Sequence, residues 1–66
     1  MTYYIVYTEP KKGAKRHIYL HYGWSDFWEA VEERDIMATF HPYLIWEIYS
    51  GNWIKVVDKR GRVLKN

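Results

Sequence analysis

The run YLIWEIY, Tyr43 to Tyr49, followed by the turn Ser50-Gly51-Asn52 and then by WIKVV, Trp53 to Val57, decides the fold. Both alternating sets of the run are apolar: Leu44, Trp46 and Ile48 on one side, Tyr43, Ile45 and Tyr49 around Glu47 on the other. A strand apolar on both sides belongs in the middle of a sheet. The Ser-Gly-Asn turn makes the next segment its antiparallel neighbour, and the alternate Lys55 marks that neighbour as an edge.

Working back along the chain, Thr2 to Thr8 (TYYIVYT) is the second doubly apolar segment, stopped by Glu9-Pro10 and the loop Lys11-Lys12-Gly13. Arg16 to Tyr22 alternates, with Ile18, Leu20 and Tyr22 on one side and His17, Tyr19 and His21 on the other, and so reads as the other edge. Between the hairpins, Ser25 is a good N-cap, with Asp26 and Glu29 in the first turn where the helix dipole favours negative charge. The helix is expected from about Asp26 to Arg34 or Asp35, burying Phe27, Trp28, Ala30 and Val31. Ile36 to Phe40 reads as a connector, because Pro42 pushes His41 out of helical space. Beyond Val57, Asp58-Lys59-Arg60-Gly61 is a turn into a short arm, Arg62 to Leu64.

These elements predict an α+β fold: a single helix packed on one face of a four-stranded antiparallel sheet, ββαββ, five-stranded if the arm pairs. The spatial order is 2-1-3-4, within one compact domain over residues 1–66.

Composition narrows the function classes. There is no cysteine, which removes disulfides and thiolate zinc sites. No apolar run approaches the roughly 20 residues of a membrane span, and Met1 to Thr8 does not read as a signal peptide, so the expected location is cytoplasmic, away from membranes. Charge is segregated: residues 26 to 35 hold five acids against one base, and the rest of the chain nine bases against three acids, Lys65 among the bases.

The chain has seven Tyr and four Trp, more than one short helix can cover. With Ile18, Leu20, Leu44, Trp46, Ile48, Ile54 and Val56 turned to the helix, the opposite face collects His17, Tyr19, His21, Tyr43, Ile45, Glu47, Tyr49, Trp53, Lys55 and Val57. Tyr3, Ile5 and Tyr7 are assigned outward with them. A contiguous apolar face of this size marks an interface unless the connector or the C-terminal arm folds over it. The candidate binding residues are therefore Tyr3, Tyr7, His17, Tyr19, His21, Tyr43, Tyr49, Trp53 and Lys55.

The leading expectation is a small non-enzymatic accessory or regulatory protein, binding a protein partner or a second copy of itself through that face, because Tyr and Trp combine large contact area with few rotors. The alternative partner is single-stranded nucleic acid, with bases on the rings and phosphates on flanking Lys and Arg. A remote alternative is a small ribonuclease using His17 or His21 with Glu47. Ser25 and Ser50 read as cap and turn residues, and the four glycines form no phosphate-cradling pattern. His17 and His21, roughly 13 Å apart on a strand at about 3.3 Å per residue, cannot chelate one metal ion. No cofactor is expected.

Overall fold

The computed structural model describes residues 1–64, so Lys65 lies outside the described residues. Four strands and one helix follow in the order β1 (Tyr3–Thr8), β2 (His17–Trp24), α1 (Phe27–Phe40), β3 (Ile45–Ser50) and β4 (Lys55–Val57). The strands form one antiparallel sheet in the order β2-β1-β3-β4, with the doubly apolar strands at its centre. Among the described residues the C-terminal arm adds no full strand. The turn at Asp58 to Gly61 returns it for a single antiparallel bridge between Val57 and Val63, and the Leu64 amide donates to the Val56 carbonyl at 2.9 Å.

The helix differs from expectation at both ends. Its N-cap is Asp26 rather than Ser25, and the Asp26 carboxylate accepts from the amides of Trp28 and Glu29 at 2.9 and 3.1 Å. At the other end Ile36–Phe40 is helical. Pro42 restricts only His41, which leaves the helix and donates its amide to the Met37 carbonyl, so the helix keeps its last turn. The buried stripe is consequently longer: Phe27, Ala30, Val31, Arg34, Met37 and Ala38 face the sheet. Trp28 is not part of it. That ring stands 67 % exposed on the outer side, with Ile36 and Phe40.

Arg34 is the unexpected member of the stripe, only 5 % exposed. Its Nε donates to the Trp46 carbonyl at 3.0 Å, one terminal nitrogen reaches the Lys59 carbonyl at 3.3 Å, and the other pairs with the Asp35 carboxylate. A planar guanidinium suits this task because its donors fan out to several acceptors at once. It ties the helix both to β3 and to the turn after β4.

The core consists of Ile5, Ala30, Trp46, Ile48 and Val57, with Tyr3, Tyr7, Tyr19, Trp24 and Phe27 packed around it. This fixes which way each strand faces, and it inverts the expected faces of β1 and β2. Ile5 is fully buried under the helix, so Tyr3 and Tyr7 share its side, and Tyr4 and Val6 turn outward. Because Ile5 pairs with Tyr19 and Tyr7 with His17, those two β2 residues also face the helix, while Ile18 lies outward beside Val6.

A bulge then ends the alternation. Between the pairs Ile5–Tyr19 and Tyr3–Trp24, one β1 residue opposes four of β2, and Leu20 takes φ +59° to accommodate them. Leu20, His21 and Tyr22 are thereby left exposed rather than alternately buried. Gly23 closes the bulge at φ +73°, where a Cβ would lie 2.6 Å from the Thr2 methyl. A smaller shift between Ile48–Val57 and Tyr49–Lys55 gives β4 one extra residue, which turns Val57 into the core and keeps Lys55 outward. Ile54, expected on the helix side, is exposed ahead of the strand.

Candidate functional site

Most of the residues expected to share one aromatic face divide between two places. Tyr49, Trp53 and Lys55 lie on the outer sheet face, as expected. Tyr7, His17, Tyr19 and Tyr43 gather instead on the helix side, around the C-terminal end of α1. Tyr3 packs edge-on against Phe27 at 5.3 Å, and His21 stands on the β2 bulge.

The outer face is built from the centre of the sheet. Cross-strand pairing sets Tyr4 beside Tyr49 and Val6 beside Glu47. Trp53 then folds over them. It ends the Ser50-Gly51-Asn52 turn at φ +59°, a left-handed conformation that a bulky side chain rarely adopts, with its amide donating to the Ser50 carbonyl at 2.8 Å. That geometry lays the indole parallel to the Tyr4 ring at 5.5 Å and within 5.9 Å of Tyr49. Strain of this kind persists where surrounding contacts hold it, and here the held group is an aromatic plate 53 % open to solvent.

Cations close the rest of the face. The Arg16 guanidinium lies over the Tyr49 ring at 5.2 Å and the Lys55 ammonium at 5.9 Å, both within cation–π range. Lys55 also pairs with Glu47 at 2.7 Å, and this bond raises the Lys55 pKa above its ordinary value. Tyr49 and Val6 are consequently 7 % and 1 % exposed. The open apolar face expected from the sequence is reduced to Trp53, Tyr4 and an ionic cover.

Beyond Arg16 the cover becomes a groove of about 670 Å³, walled by Arg16, Lys55, Lys59, Arg60 and Arg62 against Glu47 and Asp58. Both acids are occupied: Glu47 by Lys55, and Asp58 by the Arg62 side chain at 3.1 Å. Asp58 also accepts from the Arg60 and Arg62 amides, and these bonds, the Arg62 amide foremost, hold its pKa below the usual carboxylate range. Arg16, Lys59 and Arg60 have no carboxylate partner among the described residues. Arg16 also lines a second hollow of about 350 Å³ with Val6, Ile18 and Trp53, so the aromatic plate and the basic groove adjoin.

Of the ribonuclease grouping, His17 and Glu47 lie on opposite sides of the sheet, Glu47 outward in its pair with Lys55 and His17 stacked on Tyr7 at 5.2 Å on the helix side. Among the described residues no three His, Asp or Glu side chains come together as metal ligands, and no helix is long and apolar enough to cross a membrane. No protein-family model, curated protein or solved structure matches the chain.

Of the residues that shape this surface, Tyr4, Arg16, Lys59 and Arg60 are not among the candidates named from the sequence. Their signal was positional: Arg16 stands at the start of an edge strand, and Arg60 sits in the turn beside the other edge.

Proposed function

We propose that the chain is a non-enzymatic binding protein whose outer sheet face holds a single-stranded nucleic acid. The observation that carries this reading is the junction of an exposed ring plate, Trp53 on Tyr4, with a groove whose two acids are already paired and whose Arg16, Lys59 and Arg60 have no carboxylate partner among the described residues. A base stacks on any open aromatic plate whatever its identity, and unpaired cations beside it take the phosphates. Stacking on Trp53 and phosphate contact at Arg16 would place successive groups of one strand along the face.

A protein partner on the same face is the second reading. It draws support from the exposed Trp53 and Ile54, but the area beneath them is small and rimmed by charge, whereas stable protein contacts are poor in charge at their centre. The discriminating experiment titrates labelled mixed-sequence single strands and duplexes at two salt concentrations, alongside light scattering of the protein alone. Three phosphate contacts predict a slope of about −2 in log K against log salt, at about −0.7 per phosphate for single strands. Trp53→Ala should weaken binding on the order of tenfold, and Arg16→Ala with Arg60→Ala should flatten the slope. No binding at low salt removes the nucleic-acid reading, and concentration-dependent dimers lost in Trp53→Ala would replace it with self-association.

A further inference from the structure

At the C-terminal end of α1 the sheet outruns the helix, and aromatic rings fill the gap. The result is a cup of about 330 Å³ lined by Tyr7, Tyr19, Tyr43, Trp46, His41 and Met37, with Leu44 at its edge. Tyr7 and Tyr19 meet Trp46 at 5.1 and 5.8 Å, the second pair at 87°, and Tyr43 stands at 81° to His41. Perpendicular rings make corners, so a ligand in the cup meets ring faces from more than one direction.

Two of the polar groups on these rings are committed to partners of their own. Tyr19 donates its hydroxyl to Glu33 at 3.0 Å, and the Trp46 indole N–H donates to the His41 carbonyl at 3.1 Å. The ring faces that border the cup carry negative quadrupolar charge. The cup also abuts the negative end of the helix dipole, and the last helical turn contains no basic residue. Both features favour a cation. Among the described residues no carboxylate lines the cup, so an ordinary ammonium, a compact and strongly hydrated charge, would enter without a counter-ion and at a large desolvation cost. A cation without N–H donors avoids that cost.

We infer that this cup is a binding site for a trimethylammonium group, held by the rings of Tyr7, Tyr19 and Tyr43, with the buried Trp46 behind them. It is separate from the outer face and does not depend on the nucleic-acid reading. Such a group is presented either by a small choline-like solute or by a trimethylated lysine side chain.

The test is an NMR titration of the intact protein, following the backbone amides and indole N–H of the cup. The probes are choline, its neutral isostere 3,3-dimethylbutan-1-ol, and acetyl-lysine-amide peptides with and without Nε-trimethylation. Choline and the trimethylated peptide should give saturable shifts in the millimolar range, localised to the cup, with the neutral isostere and the unmethylated peptide about tenfold weaker. A tighter trimethylated peptide assigns the natural group to a side chain, and a tighter choline assigns it to a solute. Tyr43 is 66 % exposed, so Tyr43→Ala should leave the fold intact while weakening both ligands severalfold. Equal binding of the neutral isostere, equal binding of unmodified lysine, or a Tyr43→Ala protein that binds undiminished would each overturn the assignment.

Discussion

On the helix side of the sheet two aromatic rings, Tyr19 and Trp46, are gripped by their polar ends, and on the outer side Tyr49 and Tyr4 are gripped by their faces. Tyr19 is anchored through its hydroxyl to Glu33 and Trp46 through its N–H to the His41 carbonyl, whereas Tyr49 is roofed by Arg16 and Lys55 and Tyr4 by Trp53. End-on anchoring fixes a ring in the core and costs stability when broken. Face-on covering by long cationic side chains is an exchangeable arrangement, because a ligand that supplies phosphate and a planar base offers those cations and rings equivalent partners. The same residue types thus serve cohesion where a polar end is committed, and under the proposed function they leave a surface for recognition where a ring is covered only on its face.

The largest effect expected belongs to the cohesive side. Arg34→Ala leaves the Trp46 and Lys59 carbonyls without their donor and opens a void beneath the helix. A loss of about 3 kcal/mol is expected in urea denaturation, a large share of the roughly 3–10 kcal/mol that a 66-residue chain commands. An unchanged midpoint would mean that the clamp contributes nothing to cohesion.

Gly23→Ala comes next, at about 2 kcal/mol, because the position combines φ +73° with a Cβ contact of 2.6 Å to Thr2. Thr2→Gly in the same background removes the nearest contact but leaves those to the Tyr4 ring at 3.0 Å and the Tyr3 carbonyl at 3.1 Å, together with the dihedral strain, and should recover only part of the loss.

Tyr19→Phe should cost about 1 kcal/mol at neutral pH, the worth of one partly buried hydrogen bond. Its pH dependence separates the two modes of grip. The bond to Glu33, then burial, hold the Tyr19 hydroxyl above its usual pKa of 10.0, so its contribution is complete below that value and is lost as pH rises through the raised pKa. The wild-type protein should therefore lose more stability than Tyr19→Phe in alkaline thermal melts, and parallel curves would contradict this.

The smallest change in stability is expected on the outer side. Trp53→Gly gives up the stack on Tyr4, worth about 0.5–1.5 kcal/mol, but places at φ +59° the one residue that adopts that conformation freely, for a gain of about 1 kcal/mol. Stability should stay within about 0.5 kcal/mol while single-strand binding falls, and a strongly destabilised variant with retained binding would reverse the roles assigned to the two faces.

Much of this architecture was legible in the sequence because it depended on hydrophobic totals rather than on phase. YLIWEIY and TYYIVYT had to lie at the centre, and Ser50-Gly51-Asn52 had to turn, which together fix the order 2-1-3-4. The faces of β1 and β2 were not legible, because Tyr3, Ile5 and Tyr7 differ little in apolarity from Tyr4 and Val6, and the bulge at Leu20 carries no glycine at its first position. Outer placement succeeded where a charge marked the strand, at Glu47 and Lys55, and failed where aromatics stood on both sides, at Tyr7 and Tyr19. Arg34 was hidden among acids, although its spacing from Ala30 and Val31 put it on the buried stripe. Trp28 shows the converse error: its size suggested core, and its helical phase sent it outward.

The β2 bulge has a consequence for the life of the protein in concentrated solution. A small sheet rich in Tyr, Ile and Val is a template for strand addition wherever an edge runs straight and unpaired. Here one edge is broken by four residues looping against one, closed by a glycine that admits no side chain. The other edge is three residues long and is met by the returning arm at Val63. Neither offers a long flat ladder to a neighbouring chain, so the distortion at Leu20 also guards this sheet against growing into fibrils.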